Sequence, residues 1–171
     1  MRPNRQLEEN AKYHVMARAN LQENIFIKDE DKDMVEEIVH SAKKKYRFRL
    51  KHFAVMNNHI HLLIQPIGKK ENLSRIMKWI LSCIATRYNR KYHRKGHVFY
   101  DRFKSKIVNG SGYYRRLLKY ISNNPVKAKL SENIYSYRYS SLYHLMRKQY
   151  HINDEPDEDM LELFPLLLSK D

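Results

Sequence analysis

The chain has 171 residues, a formal net charge of +14 and 42% apolar residues, with only four Gly and five Pro. This length fits one compact domain with a buried core, and the composition excludes a disordered or collagen-like chain. No segment approaches the roughly 18 uncharged apolar residues of a membrane-spanning helix, and residues 1–10 lack the apolar segment of a signal peptide. Cys83 is the only cysteine, so we expect a cytoplasmic protein without disulfides in which Cys83 is a small core residue.

The charge is unevenly distributed along the chain. Residues 151–171 contain seven acidic residues and one Lys, a net charge of −6, so the preceding 150 residues carry a net charge of +20. Such a body attracts polyanions, and nucleic acid is the first candidate because tyrosines, which stack on bases, run through the basic segments. A membrane surface fits less well, since the basic residues are spread over several segments rather than one amphipathic helix. A basic surface without a partner is the remaining alternative.

The hydrophobic periodicities predict seven elements and a C-terminal region. They are a strand at 11–20, a helix at 29–46, strands at 49–56 and 59–66 joined by an Asn-Asn turn, a helix at 71–93, a strand at 96–108 and a helix at 111–125 closed by Pro125. Residues 135–150 are expected to form a basic helix or loop. The order β-α-β-β-α-β is the ferredoxin-like order, so we predict an α+β fold with an antiparallel sheet, the first two helices on one face and an additional helix.

Two histidines stand one residue apart in the strand at 59–66. Because side chains alternate along a strand, His59 and His61 share one face, and Ile60, Leu62 and Ile64 share the other. The aliphatic face is expected to pack under the two helices. The two histidine Cα atoms would lie about 7 Å apart, and neutral imidazole is a good ligand for divalent metals. The pattern therefore indicates a metal or catalytic site without naming a reaction, and two structural histidines are the alternative.

The helix at 111–125 carries a second pair of candidate residues. Tyr120 and Asn124 are four residues apart, hence one turn apart on the same helix face. An Asn carbonyl oxygen suits a hard cation such as Mg²⁺ or Mn²⁺, and a Tyr phenol is a possible nucleophile on phosphorus. The chain has 13 tyrosines, and Asn before Pro also suits a helix end. Function is favoured because this helix follows the completed sheet, where the uncovered face is the one bearing the histidines.

Four segments together resemble a known family. The segment NNHIHLLI resembles the HUH motif, and the segment GHVFYDRFKSKIV resembles the one with Gly-Arg-Tyr-Lys-Ser at its centre. The segment LLKYISNNPVKAKL resembles the one that carries the catalytic tyrosine. The segment YRYSSLYHL resembles the Trp-Ser-Ser-Tyr segment that follows it. In this order, from about Tyr13 to Leu145, they are similar to the single-tyrosine HUH transposases, in particular the REP-associated tyrosine transposases. The departures are Asp101, which replaces the Gly of the Gly-Arg pair, and Tyr139, which stands where Trp is common.

The resemblance implies a ferredoxin-like sheet and a function in DNA transposition and recombination. It implies a metal-dependent endonuclease and strand transferase that acts on single-stranded or hairpin DNA through a 5′-phosphotyrosine intermediate. His59, His61 and Asn124 correspond to the ligands of Mg²⁺ or Mn²⁺, and Tyr120 corresponds to the nucleophile. His14 and a water on the metal are candidates for the general base. Relatives act as homodimers that exchange their tyrosine helices or as monomers, and both assemblies stay open.

We expect an HUH single-stranded DNA transposase domain at 1–150 and an acidic tail at 151–171. Tyr100, Tyr113 and Tyr114 are candidates for stacking on bases, with one or two of them as core residues as the alternative. Basic residues of the fourth strand and third helix are expected to bind DNA, about half of them by contact with phosphate and the others merely solvated: Arg102, Lys104, Lys106, Arg115, Arg116 and Lys119. The tail either folds over the DNA-binding surface and competes with phosphate, or docks on the body through its apolar residues, namely Met160, Leu161, Phe164 and Leu167.

Two other classes of function stay open on the sequence. One is a domesticated protein that binds DNA hairpins without cutting them, against which the complete set of two histidines, a tyrosine and an asparagine argues. The other is an RNA-binding protein or ribonuclease on a basic ferredoxin-like domain. The central strands do not supply the pairs of aromatic residues that RNA-binding sheets use, so the sequence favours the DNA enzyme.

Overall fold

The computed structural model describes residues 8–68 and 72–169. Its strands are β1 (Tyr13–Arg18), β2 (Phe48–Val55), β3 (His59–Pro66) and β4 (Lys104–Ile107). Its α-helices are α1 (Asp29–Lys45), α2 (Leu73–Lys91), α3 (Ser111–Lys127), α4 (Ser141–Met146) and α5 (Glu158–Leu163), with 3₁₀ turns at Asn20–Gln22 and Pro165–Leu168. The strands pair antiparallel in the order β2-β3-β1-β4. The predicted α+β, ferredoxin-like fold with an additional helix is confirmed.

The first two helices begin and end where local chemistry favours it. Helix α1 has three acidic residues in its first turn and three lysines in its last turn, which complements the helix dipole. Helix α2 is capped by Asn72, whose side-chain oxygen accepts a hydrogen bond from the main-chain N–H of Arg75 at 2.8 Å. None of the helices in the described part of the chain is long and apolar enough to cross a membrane.

One core lies between the sheet and helices α1 and α2. Ile60, Leu62 and Ile64 of β3 are fully buried in it, as the alternation along that strand predicts. Burying an aliphatic side chain of this size contributes about 1.5–3 kcal/mol. Cys83 of α2 is partly buried and packs against this core. The opposite face of β3 is left for the histidines.

A second core covers part of the histidine face. Helices α3, α4 and α5 pack there around Leu63, and the buried residues Leu118, Ile121, Met160 and Phe164 belong to this cluster. The tail therefore docks on the body through Met160 and Phe164. The other two apolar residues proposed for docking are only partly buried: Leu161 and Leu167.

An irregularity in β2 lets that strand serve both cores. The pairing with β3 shifts between Leu50 and His52, so Lys51 is the extra residue of a β-bulge. Leu50 lies in the core under α1 and α2, whereas His52, two residues later, hydrogen-bonds to Ser122 of α3 at 2.8 Å between Nε2 and Oγ. Simple alternation would have put Leu50 and His52 on one face.

Two predicted boundaries were wrong. The fourth strand has four residues instead of thirteen, because only 104–107 pair with β1, and the residues before them form turns around a single Ala19–Phe99 bridge. Helix α3 continues through Pro125 to Lys127. Proline has helical φ and costs one main-chain hydrogen bond near the end of a helix, and its burial in this chain offsets part of that loss.

Candidate active site

Strands β1 and β3 align the polar side chains of the histidine face. Arg18 lies opposite His59, Met16 opposite His61, and His14 opposite Leu63. Residues directly opposite each other in an antiparallel pair project from the same face. The structure therefore adds His14 and Arg18 to the predicted pair. The alternation along β1, with Tyr13, Val15 and Ala17 buried in the first core, is the sequence signal that locates them.

The three histidines form one contact cluster. His14 Nε2 lies 2.9 Å from His61 Nδ1, and the ring centroids of His59 and His61 are 4.8 Å apart. Burial lowers the pKa of His61 to about 3, with further lowering by the charges of the neighbouring histidines and Arg18. Burial, followed by the charge of Arg18, lowers the pKa of His59 to about 4, and burial also lowers the pKa of His14. All three imidazoles are thus neutral at pH 7.

The hydrogen bonds of the cluster assign its tautomers. His59 Nδ1 lies 2.6 Å from Asn58 Oδ1, an acceptor, so Nδ1 carries the proton and Nε2 keeps its lone pair. His61 Nε2 is buried and has no hydrogen-bond partner in the described part of the chain. If His61 Nδ1 donates to His14, that Nε2 is also a lone pair. In both rings Nε2 then has a free lone pair, while a hydrogen bond at Nδ1 fixes the orientation of the ring. Histidines that bind metals have this arrangement.

Helix α3 brings Tyr120 to this cluster. The Tyr120 ring centroid lies 5.6 Å from that of His61 and 6.2 Å from that of His14, edge-on in both cases. The side chain is 46% exposed, whereas Leu117 and Ile121 beside it on the helix are buried in the second core. The helix is therefore anchored by its apolar face while the phenol stays accessible to a substrate. Within one chain, Tyr120 therefore lies beside His61, one of the two predicted ligands.

Asn124 lies one turn beyond Tyr120 and is half-buried. Its side-chain Nδ2 donates to the main-chain oxygen of Tyr120 at 2.8 Å, so its carbonyl oxygen is not used in that bond. No hydrogen bond of the described residues joins Asn124 to His59 or His61, and its part in a metal site stays a prediction. Residues 8–68 and 72–169 contain no group of three or more His, Cys, Asp or Glu side chains arranged to hold a metal ion; the predicted ligand set has two histidines and an amide.

Two of the basic residues predicted to bind DNA lie on the face of the sheet that carries the histidines. Lys104 lies opposite Met16 and Lys106 opposite His14, next to the site. Arg115 differs, because its guanidinium pairs with Asp159 at 2.8 Å and Glu162 at 2.7 Å in the docked tail. The remaining predicted contacts are all exposed: Arg102, Lys104, Lys106, Arg116 and Lys119.

The three tyrosines considered for base stacking have different surroundings. Tyr114 is buried in the second core, and its hydroxyl donates to Asp157 at 2.6 Å, so its ring is not accessible to a base. Tyr113 is partly buried, with Lys106 Nζ 5.0 Å from its ring centroid. Tyr100 is 73% exposed. Tyr114 is therefore the core residue of the three, and base stacking stays a prediction for Tyr100 and Tyr113.

The fold of this chain is similar to that of solved structures. The solved structure of a REP-associated tyrosine transposase bound to a REP hairpin is similar over 92% of each chain, with 17% identity and a TM-score of 0.71, a likeness of fold. A protein of Deinococcus radiodurans provisionally assigned as a transposase has 17% identity over 72% of this chain and 97% of its own, with a TM-score of 0.48. No curated protein sequence matches the chain.

A family model decides the assignment. The model of the family described as "Transposase IS200 like" matches residues 8–124, from just before β1 to the candidate ligand Asn124. The match covers well over half of the chain and includes both histidines and Tyr120. The chain therefore belongs to the IS200-like transposase family.

Proposed function

We propose that this transposase is a metal-dependent endonuclease and strand transferase for single-stranded DNA, with Tyr120 as the nucleophile. The observation that carries the proposal is the contact of the exposed Tyr120 ring with the buried, neutral imidazole of His61, which lies beside His59 on one face of the sheet. A phenol, a cation site and a basic surface together suit transfer of an anionic phosphodiester.

The residues present fit a divalent cation, Mg²⁺ or Mn²⁺. His59 and His61 would hold it through Nε2, since the buried Nε2 of His61 otherwise lacks a partner and a buried acceptor without a partner is costly. The carbonyl oxygen of Asn124 is the proposed third protein ligand. The bound ion would polarise a non-bridging phosphate oxygen and position the scissile phosphate. Neutral ligands leave most of the charge of the ion uncancelled.

In the proposed step, the Tyr120 oxygen forms a bond to phosphorus and the bond from phosphorus to the 3′ oxygen breaks. The products are a 5′-phosphotyrosine and a 3′-hydroxyl, which carries a proton equivalent to the one that the phenol loses. In the tautomer that frees His61 Nε2, His14 Nε2 accepts from His61, so His14 orients the ligand and is not the base. The phenol proton then leaves to solvent, because almost half of the Tyr120 side chain is exposed.

The covalent intermediate explains how one site can both cut and join. The phosphotyrosine conserves the ester bond, so a different 3′-hydroxyl can attack it and reverse the step on a new strand without ATP. Tyr120 lies beside His61 of its own chain. A monomer therefore contains both the proposed nucleophile and the proposed metal ligands, and a homodimer is not needed for cleavage.

The proposed substrate is a DNA hairpin with an adjoining single strand. The similar structure bound to a REP hairpin and the exposed basic residues of β4 and α3 support it. Lys104 and Lys106 lie on the same face as the histidines, so a strand bound along β4 would pass the site.

The test is incubation of hairpin DNA from the flanks of the gene with the protein and Mn²⁺ or Mg²⁺. We expect a covalent protein–DNA adduct that survives denaturing electrophoresis and is lost in Tyr120→Phe and in EDTA. Tyr113→Phe is the matched control, because it removes a phenol from the same helix and should keep the adduct. An adduct that persists in Tyr120→Phe refutes the assigned nucleophile, and tight hairpin binding without any adduct supports the non-catalytic alternative.

A further inference from the structure

A cavity of about 500 Å³ lies beside the histidine pair, between the end of β1 and the turns that precede β4. Its lining includes Met16, Arg18, Leu21, Tyr100, Asp101 and Lys104. Met16 and Arg18 are the β1 residues opposite His61 and His59. The cavity is therefore adjacent to the candidate active site, and its volume is in the range of small-molecule sites.

The first wall of the cavity is an unusual turn after β1. Leu21 is 75% exposed and has a φ of 50°, and Gln22 follows with a φ of 57°. Left-handed backbone at a bulky residue persists only where surrounding contacts impose it. Here the main-chain N–H of Ala19 donates to the carbonyl oxygen of Asn58 at 2.8 Å, and Asn58 Nδ2 donates to the carbonyl oxygen of Gln22 at 3.4 Å. The turn is thus held by the residue that also orients His59.

The second wall carries Tyr100. Its main-chain N–H donates to the carbonyl oxygen of Arg18 at 3.1 Å, which places its backbone beside the end of β1. Its side chain and that of Leu21 are the two most exposed of the large apolar side chains that the structure describes, and both line the same cavity. An aromatic ring and an aliphatic side chain on one cavity make a platform on which a base can stack.

The charges of the cavity distinguish a base from a phosphate. Arg18, Arg102 and Lys104 line it and attract the DNA backbone. The carboxylate of Asp101 lines it as well, which repels a phosphate inside the cavity and can accept a hydrogen bond from the N–H groups on a base edge. The lining therefore offers cations for the phosphates of a strand and, at Asp101, an acceptor for the edge of a base.

We propose that this cavity binds one unpaired nucleobase of the DNA strand next to the scissile phosphate, stacked on Tyr100 and against Leu21. The inference rests on the proposed function, since it takes the histidines and Tyr120 as the position of the scissile phosphate. Seating that base would fix which phosphate reaches Tyr120, so the cavity would determine the position of the cut.

The test measures how much of the affinity depends on bases. Binding of dA12, dC12 and dT12 is compared by fluorescence anisotropy with binding of an abasic 12-mer of equal phosphate number, all in EDTA so that no cleavage contributes. For the wild-type protein we expect at least one of the three oligomers to bind more tightly than the abasic strand. The measured quantity is the ratio of the affinity for that oligomer to the affinity for the abasic strand. In Tyr100→Ala this ratio should fall at least about fivefold, as expected for the loss of one stacked base.

Two variants serve as controls. Tyr150→Ala removes an exposed tyrosine outside the cavity and should keep the wild-type ratio. Lys104→Gln should weaken all four strands alike, because it removes a phosphate contact. A ratio unchanged in Tyr100→Ala for every oligomer, or no preference for bases in the wild type, overturns the proposal. Absence of the Tyr120 adduct together with a ratio that does fall refutes the proposed chemistry and leaves the base site standing.

Discussion

His52 makes the stability of this fold depend on pH in a way that can be calculated. The side chain is fully buried, its Nε2 bonds to Ser122 Oγ at 2.8 Å, and its ring stacks on Phe164 of the tail with centroids 6.2 Å apart. Burial lowers the pKa of His52 to about 3, against a partial raising by Asp157. Its Nδ1 is buried without a hydrogen-bond partner among the described residues, so a proton there would be an unpaired donor.

The sign follows from the two states of the chain. The imidazole is neutral in the folded protein down to about pH 3, whereas in the unfolded chain it takes up a proton near pH 6.5. The contribution of His52 to the free energy of unfolding is therefore constant above pH 6.5. It decreases as the pH falls from 6.5 towards 3. Each pH unit in this window costs about 1.4 kcal/mol. Between pH 6.5 and pH 4.5 His52 should therefore lower the free energy of unfolding by about 3 kcal/mol.

The assay is urea unfolding followed by circular dichroism at several pH values from 7 to 4.5. His52→Gln cannot titrate, so its free energy of unfolding should fall less steeply with acid than that of the wild type, by about 3 kcal/mol over the window. Ser122→Ala is the matched control, because it removes the hydrogen bond but keeps the imidazole, and should keep the wild-type slope. Parallel curves for the wild type and His52→Gln would refute the reasoning.

Three further predictions concern binding. Replacing Asp159 and Glu162 by their amides frees Arg115, so hairpin DNA should bind about two- to fivefold more tightly, a small increase because exposed ion pairs are weak; equal affinity in a filter-binding assay would show that Arg115 does not contact DNA. Asn58→Ala removes the acceptor that orients His59 and should weaken Mn²⁺ binding about 10–100-fold by titration calorimetry; unchanged affinity would count against the proposed ligand. Raising the salt from 50 to 200 mM should weaken hairpin binding by more than about tenfold, and a smaller change would mean few phosphate contacts.

The local pattern of the chain determined much of this architecture. Alternation along residues 59–66 predicted which side chains lie under α1 and α2 and which carry the histidines, because the period of a strand is a local property. The four-residue spacing of Tyr120 and Asn124 put them on one helix face for the same reason. The element order then required α3 to lie on the only face of the sheet left uncovered, where the structure has it.

Contacts between distant segments were decided only by the tertiary structure. The bond between His14 and His61, the bulge that turns His52 towards α3, and the pairing of Arg115 with the tail depend on strand register and on the side chains that happen to pack there. The proposed base site lies between the turn at Leu21 and the turn at Tyr100, which are about eighty residues apart in sequence. Neither turn has a periodic pattern. Periodicity reports which face a residue occupies, whereas the neighbours on that face follow from how the elements pack together.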